Sequence, residues 1–121
     1  MRLKTARIIV ESFSATNQRW LKALKGKAKS KAGEEIIIIE SWEILGRLLS
    51  PGRLQILAEI PLRKPKSIAE LARQIGRDFK NVHTDVQFLA DIGLLDLREE
   101  GPRNTLRPVA KYREIELPFA A

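Results

Sequence analysis

Residues 67–93 carry the sequence pattern that most restricts the set of folds open to this chain. Ser67 and Glu70 have the spacing of a capping box, in which the serine caps a helix and the glutamate reaches back to it. This predicts a short helix over residues 68–75. Gly76 should end that helix, because glycine readily adopts the left-handed conformation found at helix termini. The chain is therefore predicted to turn sharply here.

A second helix is predicted after the turn, capped by Asp78 and ended by Gly93. Apolar residues recur at helical spacing along its predicted buried side; they are Phe79, Val82, Val86, Leu89 and Ile92. Three further positions have the sizes that a tight helix pair needs, namely the small Ala72, the glycine at 76 and the branched Val82. The pattern predicts a helix-turn-helix, although an ordinary helical hairpin would share much of it.

Two strands with a turn between them are predicted directly after this pair. Residues 94–98 alternate apolar and polar side chains, residues 99–104 are turn material, and residues 105–109 return as a strand with Pro108 at its edge or end. A helix-turn-helix followed by such a hairpin is the winged-helix arrangement. The alternative is a closing hairpin without nucleic-acid contact, since Glu99 and Glu100 would repel phosphate.

The rest of the chain reads as strands and helices of ordinary length. Strands are predicted at residues 6–10 and at 36–39, the second buried on both faces. A basic amphipathic helix is predicted between them, at about 15–29, and it carries Trp20, Leu21 and Leu24.

Two more helices are predicted after the second strand. Ser41 is expected to cap the first of them, whose apolar side is made of Trp42, Leu45, Leu48 and Leu49. Ser50 and Pro51 begin another, whose buried stripe is predicted to be Leu54, Leu57 and Ala58, with Ile60 near the end and Ile56 off the stripe. Residues 61–66, with two prolines, should form a loop.

These elements predict an α+β fold, a winged helix-turn-helix with an N-terminal strand-helix extension. We divide the chain by expected role into residues 1–34, a basic segment for dimerisation or partner binding, and residues 35–121, the DNA-binding domain.

Positive charge is the main compositional clue to function. Lys and Arg number 22 against 15 Asp and Glu, which gives a net charge of +7. The excess is concentrated, because residues 1–33 hold nine basic and one acidic residue, and residues 61–80 hold six basic and two acidic. Such patches attract a polyanion, which favours a nucleic-acid partner over a merely soluble surface.

The same composition argues against most enzyme chemistry. The chain has no cysteine and one histidine, so it lacks a thiolate nucleophile and a multi-histidine metal site, and no cofactor is implied. Carboxylates are plentiful, but no spacing singles out a catalytic pair. The longest aliphatic run is four residues, too short to span a membrane. We expect a soluble cytoplasmic protein that is not an enzyme.

Four stretches of the chain resemble the MarR-like winged-helix transcriptional regulators of archaea and bacteria, some of which are described as antitoxin-like. They are residues 48–57, 67–72, 76–86 and 89–94, and residues 112–118 look like the closing strand of that family. The similarity covers about residues 35–118, and its most specific part is the run from Gly76 to Val86. The resemblance implies a winged-helix DNA-binding fold and a regulatory role, without a cofactor or a catalytic residue.

The polar side of the second helix supplies the candidate DNA contacts. Residues in the N-terminal part of a recognition helix read base edges, and the candidates are Lys80, Asn81, Thr84 and Gln87. Phosphate contacts are expected from Lys64, Lys66, Ser67, Arg73, Arg77, His83, Arg98, Arg103 and Arg107. Asp85 should organise nearby basic side chains rather than face DNA. Each of these residues could instead belong to an ordinary solvated surface.

Two partner hypotheses accompany this assignment. The first is a homodimer on double-stranded DNA, built partly from the N-terminal strand and helix, because two copies double a short recognition surface over a two-fold site. The second is an antitoxin-like protein whose N-terminal segment binds a toxin-like partner while the winged helix binds its own operator. Alternatively, Trp20, Leu21 and Leu24 pack on the chain's own core.

Overall fold

A computed structural model describes residues 3–11, 33–101, 103 and 105–118. These residues form an α+β structure with two compact units; the first holds the described residues up to 47 and from 112 onward, and the second holds those between 48 and 111. The helix predicted at 15–29, with Trp20, Leu21 and Leu24, lies outside the described residues. The division of the chain at residue 34 stays a prediction.

The first unit contains a three-stranded parallel sheet. Its strands are β1 (Lys4–Val10), β2 (Glu34–Ile39) and β5 (Tyr112–Glu116), in the order β2-β1-β5. The middle strand buries Ala6 and Ile8, and Thr5 Oγ1 donates to a Glu114 carboxylate oxygen of β5 at 2.8 Å. The predicted strands at 6–10 and 36–39 are confirmed.

Residues 36–38 of β2 are half-buried and only Ile39 is buried, so the prediction of burial on both faces is wrong. Among the described strands, β2 has a neighbour on one side only, which leaves its side chains less covered than those of β1.

Helix α1 (Trp42–Leu48) ends at the boundary between the two units. The Ser41 hydroxyl caps it as predicted, accepting from the Ile44 N–H at 3.2 Å. Leu45 and Leu48 are buried, whereas Trp42 is 65% exposed, so the predicted apolar side is only partly buried. Leu49, which follows the helix, is also partly exposed.

The second unit contains helices α2 (Pro51–Arg63), α3 (Ile68–Ile75) and α4 (Phe79–Asp91), followed by the antiparallel strands β3 (Leu95–Glu99) and β4 (Leu106–Ala110). Its core combines apolar residues of all five elements, with Ile56, Leu71, Val82, Leu89 and Leu95 among the most buried. The helix pair and the strand pair lie within two residues of the predicted bounds.

Helix α2 differs from its prediction in two ways. Its buried residues are Ile56 and Ile60, while Leu54 and Ala58 of the predicted stripe are exposed. Periodicity misled here because apolar residues lie on several sides of this helix. The helix also continues through Pro61 to Arg63 and ends at Lys64, which is left-handed at φ 46°. Pro61 lacks the N–H that would donate to the Leu57 carbonyl, so the helix forgoes this one backbone bond near its C-terminal end.

In the strand pair, Pro108 lies opposite Leu97 in the middle of β4. Proline donates no ladder hydrogen bond, and it is accommodated because each strand of this pair has a single neighbour in its sheet. Of the two predicted positions for Pro108, the edge is confirmed.

Candidate nucleic-acid interface

The turn between α3 and α4 has the geometry that the sequence predicts. Ser67 Oγ accepts from the Glu70 N–H at 3.0 Å, and Gly76 ends α3 with φ 68°. The Arg77 N–H then donates to the Ala72 carbonyl at 3.0 Å, and the Gly76 N–H donates to the Arg73 carbonyl at 3.3 Å. These two bonds form a Schellman motif, which satisfies the carbonyl groups at the helix end and fixes where the next helix begins.

Helix α4 has one buried and one exposed side. Asp78 caps it by accepting from the Asn81 N–H at 3.2 Å, and Val82, Val86 and Leu89 are fully buried. The opposite side is exposed and carries all four predicted base-contact residues, Lys80, Asn81, Thr84 and Gln87, together with His83. The structure thus brings these five side chains together on one surface.

The two ends of this exposed surface differ in hydrogen bonding and in charge. The Thr84 hydroxyl donates to the Lys80 carbonyl at 3.0 Å, and Gln87 Nε2 donates to an Asp91 carboxylate oxygen at 3.1 Å. Asp91 adds negative charge to the C-terminal end of the exposed side, where phosphate would be repelled. The N-terminal half is therefore the better place for a polyanion.

The N-terminal half of α4 also exposes an aromatic pair. Phe79 is 50% exposed, which contradicts its predicted burial, and its ring centre lies 5.8 Å from that of His83 at an angle of 45°. As the first residue of the helix, Phe79 extends past the core that Val82 fills one turn later. His83 consequently presents an imidazole beside the polar row.

Asp85 organises basic side chains, as the sequence predicts. Its carboxylate accepts a hydrogen bond from Arg77 Nη2 at 2.7 Å and forms an ion pair with Arg53, whose Nε lies 3.2 Å away; the Asp85 side chain is 15% exposed. The Arg77 guanidinium also donates from Nη1 to the Gly52 carbonyl at 3.3 Å. Because Arg53 and Gly52 belong to α2, these contacts tie the N-terminus of α2 to α4. We call Arg53, Arg77 and Asp85 the arginine–aspartate cluster.

The sequence did not identify three members of this region, namely Gly52, Arg53 and Phe88. Phe88 lies off the buried stripe of α4, and the Arg53 guanidinium sits over its ring at 4.1 Å from the centroid, a cation–π arrangement. A Cβ at Gly52 would lie 3.0–3.2 Å from the Arg77 guanidinium, so glycine makes room for that group. The one signal in the sequence was that Phe88, an aromatic residue of α4, lies outside the predicted buried side of this helix.

The predicted phosphate contacts fall into two groups in this unit. Lys64, Lys66 and Arg73 are exposed, and Ser67 is half-buried as the cap of α3. Arg77 is the exception, because its guanidinium is engaged in the arginine–aspartate cluster and its side chain is 26% exposed.

Three more predicted phosphate contacts belong to the strand pair and the segment joining its strands. Arg98 and Arg107 face each other across β3 and β4, and Arg107 Nε lies 3.2 Å from a Glu100 carboxylate oxygen. Arg103 is exposed in the connecting segment, with φ 65°. Glu100 is thus partly neutralised by Arg107, which weakens the repulsion that the two glutamates would exert on phosphate.

The described residues also bear on two other kinds of site. Within the described ranges, no cluster of three His, Cys, Asp or Glu side chains could hold a metal ion. No helix in the described part of the chain has the length and apolar character needed to cross a membrane.

Comparison with known proteins gives a family. No curated protein matches the chain. The family model HVO_A0114 matches residues 48–117, which is more than half of the sequence and includes α2 to α4 and both strands of the β3–β4 pair. The chain belongs to the HVO_A0114 family.

Proposed function

We propose that this protein is a sequence-specific regulator of transcription that binds double-stranded DNA through a winged helix-turn-helix. In this proposal α3 and α4 are the helix-turn-helix, α4 is the recognition helix and the β3–β4 hairpin is the wing. The resemblance to MarR-like regulators supports the same assignment. The observation that carries the proposal is the exposed side of α4, on which Lys80, Asn81, Thr84 and Gln87 stand together opposite a fully buried stripe.

The exposed side chains of α4 match the donors and acceptors of the major groove. Asparagine and glutamine can pair with adenine through two hydrogen bonds, and lysine can reach the guanine acceptors. Recognition helices contact bases mainly with their N-terminal residues, and Asp91 disfavours DNA at the other end. Lys80, Asn81 and Thr84 are therefore the first candidates for base contact, with Gln87 next along the helix.

Phosphate contacts would set the position of α4 in the groove. Lys64, Lys66 and Arg73 are exposed basic residues on or before α3, the helix that precedes the proposed recognition helix. Arg98 and Arg103 extend this set to the wing, and His83 flanks the polar row of α4. Because phosphate contacts release counterions, affinity should fall steeply as salt is raised.

Arg77 has a different proposed role from the one that the sequence suggested. Its guanidinium is held by Asp85 and the Gly52 carbonyl, so we assign it to fixing α4 against α2. Precise placement of the recognition helix is what base discrimination requires. Arg77 thus acts on DNA binding mainly as a positioning residue.

We propose that the partner besides DNA is a second copy of the chain or, alternatively, another protein. A homodimer would let two recognition helices read a two-fold site. The antitoxin-like alternative assigns a protein partner to the N-terminal segment, most of which lies outside the described residues.

Selection of bound sequences from a random pool of DNA duplexes tests the function. The wild-type protein should enrich a defined motif, and a variant with Lys80→Ala and Gln87→Ala should keep its fold but lose the preference. Each lost base contact should reduce discrimination by about 1–3 kcal/mol. Lys66→Ala is the matched control, because loss of a phosphate contact should weaken binding to all sequences alike.

Two results would reject this proposal. One is the absence of any enriched sequence with the wild-type protein at low salt. The other is an unchanged motif in the folded double variant, which would remove α4 from base recognition.

A further inference from the structure

Helix α2 has an apolar side that the core of its own unit does not cover. Ile56 and Ile60 face the core, yet Leu54 is 40% exposed and Leu62 is 79% exposed. Ala58, also exposed, lies between them at the same four-residue spacing. At 1.5 Å rise per residue, these three residues form one row of about 12 Å along the helix.

The whole outer side of α2 is unusual in carrying no charge. At 100° per residue, a sector of about 120° centred on Ala58 contains six helix positions. They are Pro51, Leu54, Gln55, Ala58, Pro61 and Leu62. Charged residues make up 31% of this chain, and a helix side facing water normally carries them. The nearest charge within the helix is Glu59, about 100° from Ala58, and it pairs with Arg63. We call this sector the outer face of α2.

The two leucines of this face are placed symmetrically about its centre. Leu54 and Leu62 each stand four residues from Ala58, in opposite directions. When two such helices pack antiparallel around a two-fold axis at Ala58, Leu54 of one copy comes level with Leu62 of the other. The small alanine side chains then meet at the centre, where they allow the backbones to approach closely.

We infer that the outer face of α2 is the contact surface between two copies of this chain. A second copy is the occupant because the face is complementary to itself and lacks the charge that would select an acidic or basic partner. This inference does not depend on the proposed function. One helix side is smaller than the roughly 800 Å² per partner of a standard interface, so the dimer should dissociate on dilution.

Sedimentation equilibrium of the full-length chain over a wide concentration range tests the contact. The average mass should rise from the monomer value of 13.7 kDa toward twice that value as concentration increases. Leu62→Glu should raise the dimer dissociation constant at least about tenfold, since a leucine leaves the contact in both copies. Trp42→Glu is the control, because it places the same charge at an exposed apolar residue of α1, outside the outer face of α2, and should not change the constant. Circular dichroism verifies that both variants fold.

A cross-linking measurement then fixes the geometry. The natural chain has no cysteine, so Ala58→Cys introduces a single thiol on the proposed two-fold axis. Mild oxidation should convert this variant to a covalent dimer. Arg63→Cys should stay uncross-linked, because the antiparallel arrangement separates the two copies of residue 63 by about 15 Å along the helices, too far for a disulfide.

Three outcomes would overturn the inference. They are a chain that stays monomeric at every concentration, a dimer that Leu62→Glu does not weaken, and cross-linking that is as efficient at residue 63 as at residue 58.

Discussion

Replacing Asp85 by asparagine should destabilise the second unit more than any exposed ion pair could. The Asp85 carboxylate is 15% exposed and holds two guanidinium groups, at 2.7 Å to Arg77 and 3.2 Å to Arg53. Breaking a fully buried pair costs about 3–5 kcal/mol, and an exposed pair about 0.2–1 kcal/mol. The arginines are 18% and 26% exposed, so they can recover part of their hydration after the change. An asparagine oxygen also keeps one hydrogen bond, and we therefore expect a loss of about 2 kcal/mol.

Urea unfolding followed by circular dichroism at 222 nm measures this loss. Among the described helices the second unit contributes most of the signal, because α2, α3 and α4 belong to it, while nearly all of α1 belongs to the first unit. The matched control is Glu59→Gln, which removes the exposed ion pair with Arg63 and should cost no more than about 0.5 kcal/mol. If Asp85→Asn costs as little as this control at an unchanged urea slope, the arginine–aspartate cluster does not hold α2 against α4.

Glycine substitutions supply further predictions, each measured by the same unfolding assay. Gly46→Ala should stabilise the chain by about 0.5–1 kcal/mol, because nothing lies near an added Cβ inside α1. Gly52→Ala should give no such gain, since the new methyl group would displace the Arg77 guanidinium, but the gain should return in an Arg77→Ala background; equal gains at both glycines would refute this packing. Gly76→Ala should cost about 1–2 kcal/mol because of its φ of 68°, and a neutral result would mean that the turn relaxes to another conformation.

The sequence predicted the region around α3 and α4 well because short-range chemistry determines it. Caps such as Ser67 and Asp78 bond to backbone groups three residues away, and Gly76 ends its helix through its own backbone freedom. The alternation of buried and exposed positions on α4 follows from helix geometry alone. The candidate base contacts could therefore be placed on one exposed surface, while their role in binding DNA stays a prediction.

Predictions failed where several apolar residues competed for one core. Helix α2 offers apolar side chains on more than one side, and only its neighbours decide that Ile56 and Ile60 go inward while Leu54 and Leu62 stay outside. Phe79 has the right spacing for burial on α4, yet its place at the helix start leaves it half exposed. Periodicity gives the possible faces of a helix, and packing selects among them.

By itself the sequence determined the local elements: the capped helices, the glycine turn, most strand positions and the distribution of charge. Each of these depends on residues within a few positions of one another, so no knowledge of the rest of the chain was needed. The tertiary structure alone decided the parallel pairing of β1 with both β2 and β5, and the choice of Arg53 of α2 as a partner of Asp85. Those contacts join residues far apart in sequence, and their formation depends on how all the elements pack together.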